Sequence, residues 1–335
     1  MNDGVKRRSE LEGKDNSSED KGNYKVVCTG DMVYNSMRMW QGANGISPYN
    51  GIVSPAYTVL TAKCDISNGF FAALFKTHKL ISEFCNHSQG MTSDTWNLKY
   101  SQIESIKTYI PSVAEQQKIA ALIEKIDKRL ATQKELIDSL KKYKRGVSEA
   151  IFTRKIRFGN SSTFPEWKTK KVGEICKIQT GKSNTQDETN SGLYDFYVRS
   201  PIVRKSNRYL FDCEAVLTVG DGVGTGKVFH YVTGKFDLHQ RVYAMTNFSE
   251  VSGKYFYYYF SQFFYDRVMK MTAKTSVDSV RYEMIDKMNI IFPSTEEQQL
   301  IENFLSNIEN RLLHAEKTLV KLENTKKGLL QQLFI

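Results

Sequence analysis

Two stretches of the chain carry apolar residues at alternating steps of three and four, the spacing that marks one face of an α-helix. Each stretch follows a proline–serine pair and an acidic residue with two glutamines, a combination typical of a capped helix start. We therefore predict helices over residues 112–152 and 294–335, each roughly 60 Å long at about 1.5 Å per residue. Both carry a heptad seam, which is buried only against another helix. The predicted pairing positions are Ile119, Ile123, Ile126, Leu130, Ile137, Leu140, Ile301, Leu305, Ile308, Leu312, Leu319 and Leu322.

The two seams are interrupted at matching positions, once at Gln133 and Ala315 and once at Lys144 and Lys326. Two explanations of the lysines stay open. A lysine stem can lie along an apolar seam while its ammonium group stays in water, or a polar seam residue can specify the register of the pair. The segment between the helices must leave the end of one and return to the start of the other, so we expect antiparallel pairing.

The interruptions match because the chain repeats itself. Residues 103–152 align without a gap with residues 285–334, at an offset of 182 and with 14 identical pairs in 50 positions. Ordinary composition would give about three identities by chance. We conclude that the chain is a tandem duplication.

A globular segment precedes each long helix. Pieces rich in valine, tyrosine and phenylalanine alternate with glycine and asparagine turns, which predicts strands, and the aromatic run at 255–265 predicts a core helix. The predicted class is α+β, with two globular domains separated by two long antiparallel helices. The predicted divisions are a disordered or irregular tail at 1–23, a first domain at 24–111, the first helix at 112–152, a second domain at 160–293 and the second helix at 294–335.

The loop "VGDGVGTGKVFH" (219–230) has glycines at alternate positions and a lysine, which suggests a nucleotide site. A P-loop would need glycine where Asp221 stands and a hydroxyl where Val228 stands, so its spacing excludes that motif. Two interpretations remain. The glycines can let the backbone approach a partner closely, or the segment is a hairpin turn that faces solvent.

Composition favours a nucleic-acid partner. The formal net charge is +10, and basic proteins commonly bind nucleic acid. The five cysteines form no C-x-x-C pair, the five histidines have no metal-ligand spacing, and no adjacent prolines form an N-P-P-Y-like methyltransferase tetrapeptide. We therefore expect no metal, no cofactor and no catalytic site. No stretch is apolar enough for a membrane helix, and we expect a cytoplasmic protein.

The sequence resembles the DNA-specificity subunit of type I restriction–modification enzymes. The resemblance is carried by the doubled P-S-x-x-E-Q-Q helix start, the heptads after it, and "GDMVYNSMRMWQGANG" followed by "YNGIVSPAYTVL", with a second-repeat counterpart that ends "HQRVYAM". It implies two target-recognition domains, each of which reads half of a split site in double-stranded DNA. It also implies two methyltransferase subunits docked on the helices, and restriction–translocase subunits that join this core.

The chain departs from that family pattern at its first domain. The second domain opens with "FPEWKTKKVGEICKIQTGKS" (164–183), and residues ahead of the first domain offer no counterpart. We therefore expect the first recognition domain to be incomplete. A truncated or rearranged gene product is one explanation that stays open.

Candidate DNA contacts lie on the polar loops of both domains. His239 is either a donor to DNA or a polar residue at a strand edge. The alternative hypothesis for the function of the whole chain is a coiled-coil adaptor that binds protein and has no DNA specificity. The candidate residues are Asn35, Arg38, Trp40, Gln41, Lys182, Arg199, Thr225, Lys227, His239, Gln240 and Arg241.

Overall fold

The computed structural model describes residues 4–11, 13, 17, 19–92, 96–158, 165–222, 224–271 and 279–334. Residues 1–3, 12, 14–16 and 18 of the predicted tail lie outside the described residues. The chain folds into two compact units, residues 1–136 with 315–335, and residues 137–314. The boundary between the units therefore crosses both long helices.

The first unit combines short strands with short helices, as the α+β prediction requires. Strand β2 pairs antiparallel with β3 on one side and β5 on the other, and β1 pairs with β4. The elements are β1 (Lys25–Val27), β2 (Met32–Asn35), β3 (Asn44–Ile46), β4 (Gly51–Val53), β5 (Tyr57–Leu60), α1 (Asn68–Leu74), α2 (His78–His87) and α3 (Tyr100–Ile103).

The long helices begin and end close to their predicted bounds. Helix α4 is Val113–Phe152, and its counterpart at the end of the chain, α8, is Thr295–Leu333. The elements between them are β6 (Lys168–Lys171), α5 (Val172–Ile175), β7 (Lys177–Thr180), β8 (Tyr194–Tyr197), β9 (Arg204–Ser206), β10 (Phe211–Asp212), β11 (Ala215–Val219), β12 (Phe229–Val232), β13 (Lys235–Leu238), β14 (Val242–Thr246), α6 (Gly253–Met271), α7 (Tyr282–Asp286) and β15 (Asn289–Phe292).

The second unit repeats the strand pairing of the first and adds to it. Strand β11 pairs antiparallel with β12 and β14, as β2 pairs with β3 and β5. Strand β7 then extends the sheet along the outer edge of β14. A second sheet, ordered β10-β13-β8-β9, packs on one face. Among the described residues of the first unit, no strand pairs with the outer edge of β5.

An aromatic helix packs on the other face of the second unit's main sheet. Every residue of β11 is buried, because one face of the strand meets α6 and the other meets the second sheet. The rings of Phe256, Phe260 and Phe264 stack along α6 at one turn per step. This confirms the core helix predicted from the aromatic run.

The long helices run antiparallel within each unit. In the first unit, the start of α4 contacts the end of α8, where Ile119 and Ile123 share a core with Leu330. In the second unit, the end of α4 meets the start of α8, where Ile151 shares a core with Ile301. All twelve predicted pairing positions are buried or half-buried.

The polar interruptions of the seam pair with residues of the opposite helix. Lys144 Nζ lies 2.5 Å from Glu309 Oε1 in the second unit. Lys326 makes the equivalent bridge to Asp127 in the first unit, and these residues are related by the 182-residue repeat. Gln133 donates to the carbonyl of Ala315 at 2.9 Å. The pairs support the hypothesis that the lysines help to specify the register, since a slip would separate each lysine from its carboxylate.

The first glutamine of each helix start ties the helix to the core of its unit. Gln116 accepts from the Ser67 amide at 3.0 Å and donates to the Pro111 carbonyl. Gln298 accepts from the Ser252 amide at 3.0 Å and donates to the Pro293 carbonyl. Both glutamines are buried, so these bonds satisfy amides that precede α1 and α6 and leave no side-chain dipole unpaired.

A phenylalanine at the far end of each long helix closes the core of the unit it reaches. Phe334 lies with its ring centroid 5.1 Å from Phe70 in the first unit. Phe152 lies 5.7 Å from Tyr255 in the second. Each unit therefore contains the start of the long helix from its own repeat and the end of the other one.

We predict that a charge within the buried seam destabilises the second unit. Ile308 is buried among the aromatic residues of α6, so Ile308→Asp should lower the free energy of unfolding by about 3–5 kcal/mol. Leu313→Asp on the same helix, at a half-exposed position, is the control and should cost about 0.5 kcal/mol or less. Hydrogen exchange of the α6 amides measures the difference. Equal protection in the two variants would contradict the buried seam.

Candidate nucleic-acid interface

Five strand ends of the second unit meet at one edge of its two sheets. In the main sheet, β7 and β11 run antiparallel to β14, so their carboxyl ends lie beside the amino end of β14. In the second sheet, β8 and β13 run parallel, so their carboxyl ends lie together at the same edge. Backbone bonds tie the connections together, from Gly220 to Arg241 and from Gln240 to Ser183. We call this edge, residues 181–184, 199, 208, 220–221 and 239–241, the basic loop end.

Two arginines of the basic loop end share one carboxylate. Arg199 lies 3.4 Å and Arg241 3.8 Å from the oxygens of Asp221. The arginine side chains are 50% and 65% exposed, so their free donors face solvent. At those separations and that exposure the ion pairs add little stability. Their main effect is to orient two guanidinium groups beside each other, with a net positive charge.

His239 is buried beneath the two arginines and bonds to the backbone of Arg241, so its ring is not exposed to donate to DNA. Its side chain is buried, at 4% exposure, and Nδ1 accepts the Arg241 amide at 3.0 Å. The neutral ring therefore carries its proton on Nε2. Burial lowers the pKa of His239, and the positive charge of Arg199 lowers it further. Of the two interpretations, the polar strand-edge residue fits these contacts better.

Amide and basic side chains extend the surface beyond the arginines. Gln240 is exposed and donates to Asn184 Oδ1 at 2.5 Å, which holds two amide groups side by side. Lys182 is exposed on the same connection. Paired amides and cations of this kind can donate to base edges and phosphates.

Arg208, which was not among the predicted site residues, also lies at this edge. Its guanidinium contacts Asp187 at 2.9 Å and Ser183 Oγ at 3.0 Å. Its Nε lies 3.6 Å from Asp237, which is fully buried in β13. Nothing in "RKSNRYL" distinguishes this arginine from its neighbours, because its partners lie elsewhere in the sequence, on the connection between β7 and β8 and within strand β13.

The described residues of the glycine loop, 219–222 and 224–230, form a packed turn, and Val223 lies outside the described residues. Thr225 is 3% exposed, and its hydroxyl donates to the Gly222 carbonyl at 2.5 Å. Gly222 and Gly226 have φ of +84° and +67°, values that favour glycine. A Cβ on Gly226 would meet the ring of Tyr265 at 3.4 Å, so the turn lies against α6. Lys227 is exposed, with Nζ 4.9 Å from the centre of the same ring.

The first-unit candidates lie on the equivalent connection, between β2 and β3. Asn35 accepts from the Met37 amide and so shapes the turn. Trp40 donates to the Met37 carbonyl and packs edge-on against Trp96, with ring centroids 5.3 Å apart. Gln41 is exposed and Arg38 is half-exposed. The structure thus leaves Gln41 and Arg38 available to a ligand and uses the other two side chains in the turn.

The described residues offer no group of three or more histidine, cysteine or carboxylate side chains placed to hold a metal ion. Within the same residues, no helix is both long and apolar enough to cross a membrane.

Comparison with known proteins adds a family match. A model of the type I restriction modification DNA specificity domain matches residues 7–142 and 165–324, one segment for each repeat. The chain is 29% identical over 158 residues to the EcoDI specificity subunit of Escherichia coli, a match that covers 47% of this chain and 34% of that subunit. It is 24% identical over 329 residues to the MjaVIII specificity subunit of Methanocaldococcus jannaschii, over 88% of this chain and 77% of that one.

A solved structure has a similar fold. The S subunit of a type I restriction–modification system from M. genitalium superposes with a TM-score of 0.68 at 14% identity, over 93% of this chain and 84% of that chain. A chain from a study of assembly and conformational transition in the type I R-M system gives a TM-score of 0.57, also at 14% identity, over 94% and 84% of the two chains. At such identities the likeness supports the duplicated fold alone.

We predict that His239 titrates below the ordinary histidine value of about 6.5. Because folding disfavours its charged form, its contribution to stability is present above that value and is lost as the pH falls towards the lowered pKa. Arg199→Ala should raise the pKa and Asp221→Asn should lower it further, since these neighbours act with opposite sign. Ring-proton NMR titration of the three proteins measures both shifts. Movement of the pKa in the same direction in both variants would contradict the arrangement.

Proposed function

The chain belongs to the family of type I restriction–modification DNA specificity proteins, and from that premise we propose that it is the non-catalytic subunit that recognises DNA for such an enzyme. The observation that carries the proposal is the basic loop end of the second unit. Oriented arginines, paired amides and an exposed lysine meet there on loops that two packed sheets support. A DNA-binding protein acts where DNA is, so we also propose a cytoplasmic location.

The guanidinium groups and the amide groups of the basic loop end suit different parts of double-stranded DNA, the phosphates and the base edges respectively. Arg199 and Arg241 can pair with phosphates, since a phosphate can compete with Asp221 for their exposed donors. Gln240 and Asn184 carry hydrogen-bonded side-chain amides, and amides of this kind can pair with adenine or other base edges in the major groove. Phosphate contacts would position the subunit, and amide contacts would select the sequence.

The first unit contributes a smaller surface to the proposed site. Arg38 and Gln41 stand on the connection equivalent to the glycine loop, supported by the packed pair Trp40 and Trp96. We propose that they contact the second half of a split site. Thr225 and Asn35, whose side chains bond within their own turns, are assigned to loop shape in this proposal.

The outer faces of the long helices are the proposed docking surfaces for partner subunits. The repeat presents equivalent exposed faces on α4 and α8, which suits two copies of a methyltransferase subunit, with restriction–translocase subunits joining that assembly. No cofactor is assigned to this chain, because cofactor chemistry would belong to those partners.

The alternative function, a coiled-coil adaptor that binds only protein, makes a different prediction about salt. Each phosphate contact releases counterions, so affinity for DNA falls steeply as salt rises. A protein adaptor of net charge +10 would bind DNA weakly and without sequence preference. A salt titration with the mapped target and with a scrambled duplex separates the two functions.

We predict that the purified chain does not methylate DNA by itself. With S-adenosylmethionine and its methyltransferase subunits it should support methylation at one split sequence, which can be mapped in cells that carry both. Transfer of a methyl group by the isolated chain would contradict the proposal.

We predict that Gln240→Ala and Arg241→Ala have different effects on DNA binding. Loss of an amide–base contact should cost about 1–3 kcal/mol of discrimination and relax one half-site only. Loss of a phosphate contact should weaken all sequences alike and lower the salt slope by about one unit. Lys287→Ala, at an exposed position directly after α7 and away from both the long helices and the basic loop end, is the control. The proposed site is wrong if both loop variants match this control in methylated sequence and in salt slope.

A further inference from the structure

The connection between β2 and β3 presents a methionine to solvent. Met37 is 42% exposed, whereas Met39, two residues further on, is fully buried. The main chain of Met37 is already bonded, because its amide donates to Asn35 Oδ1 at 3.0 Å and its carbonyl accepts from Trp40 Nε1 at 3.2 Å. The indole ring of Trp40 packs edge-on against Trp96. These contacts fix the turn, so Met37 offers a ligand only its apolar side chain.

Backbone bonds identify the equivalent position in the second unit. In each unit, the first residue after the central strand donates its amide to the residue ahead of a neighbouring strand, and its carbonyl accepts an amide from a later segment. The donor–acceptor pairs are Ser36 to Ala56 and Leu98 to Ser36 in the first unit, and Gly220 to Arg241 and Val280 to Gly220 in the second. Met37 comes directly after Ser36, and Asp221 comes directly after Gly220. Met37 and Asp221 are therefore equivalent.

The two equivalent positions carry side chains of opposite chemistry. Asp221 lies between Arg199 and Arg241 at the basic loop end of the second unit. In the first unit, Met37 takes the place of that carboxylate, and Ala56 takes the place of Arg241. The repeat thus keeps the backbone of this edge and exchanges a charged group for an apolar one.

An apolar side chain at this position can recognise one feature of the base edges in unmodified DNA. Both grooves present hydrogen-bond donors and acceptors, and the major groove adds the C5 methyl group of thymine. The side chain of Met37 has no donor, and its sulfur is a weak acceptor. Arg38, which is half-exposed, and Gln41, which is exposed, lie on the same connection and can supply the polar contacts to phosphates and neighbouring base edges.

We propose that Met37 reads a thymine in the half-site that the first unit contacts, by packing against the C5 methyl group in the major groove. The inference rests on the proposed recognition of DNA and adds the base feature that one residue selects. The second unit, with Asp221 and two arginines at the equivalent edge, reads its half-site without this contact.

The test removes the methyl group and leaves the base pair intact. Deoxyuridine pairs with adenine as thymidine does but lacks the C5 methyl group, so each thymidine of the mapped duplex is replaced in turn, on either strand. Binding is measured with the full chain assembled with its methyltransferase subunits. A replacement in one half-site only should weaken binding about fourfold, the effect of one buried methyl-sized group.

A variant assigns this difference to Met37. Met37→Gln keeps the length of the side chain and makes its end polar, so the variant should bind the thymidine and deoxyuridine duplexes equally at that position. Ile52→Gln is the matched control, because Ile52 is an apolar residue of β4 in the same unit and is 52% exposed. This control should keep the fourfold difference.

Three results would overturn the proposal. The wild-type chain could bind every deoxyuridine duplex as tightly as the thymidine duplex, the difference could survive in Met37→Gln, or Ile52→Gln could remove it as well. The salt slope on the unmodified duplex separates these results from failure of the proposed function. A steep slope without a response to the methyl group would retain DNA binding and remove only the role of Met37.

Discussion

The antiparallel contact between α4 and α8 is the constraint on which the rest of the structure depends. A helix of about 40 residues with a heptad seam cannot bury that seam on itself. Each unit therefore takes the start of one long helix and the end of the other into a single core. Phe334 reaches Phe70 in the first unit, and Phe152 reaches Tyr255 in the second. Neither repeat forms a complete core from its own residues.

This exchange of helix ends explains why duplication was visible in the sequence while the unit boundaries were not. A sequence comparison divides the chain between repeats, but packing divides it at residues 136–137 and 314–315, within the helices. The heptad spacing predicts which side chains are buried, because that follows from helix geometry. The spacing alone cannot say which half of a helix belongs to which core, since that depends on contacts far apart in the chain.

The sequence identified which loops form the candidate site better than it identified which side chains in those loops face a ligand. The loops were recognisable from their polar composition, and Arg199, Gln240 and Arg241 lie together at the basic loop end. Thr225 looked like a donor in a glycine loop, yet its hydroxyl closes a turn. Arg208 was missed because its partners are distant in the sequence: Ser183 and Asp187 lie on the connection between β7 and β8, and Asp237 lies in β13. The role of a side chain at such a surface depends on its neighbours in the folded structure, and the spacing of apolar residues along the sequence does not reveal those neighbours.

The buried glutamines show how the frame can persist while the loops differ. Gln116 and Gln298 make matching bonds to a serine amide and a proline carbonyl, and both bonds join backbone groups that exist whatever side chains the loops carry. The connection after β2 and the connection after β11 share no glycine pattern, yet the strands on either side pair antiparallel in both units. A frame held by the helix starts and the paired helices tolerates changes in loop sequence.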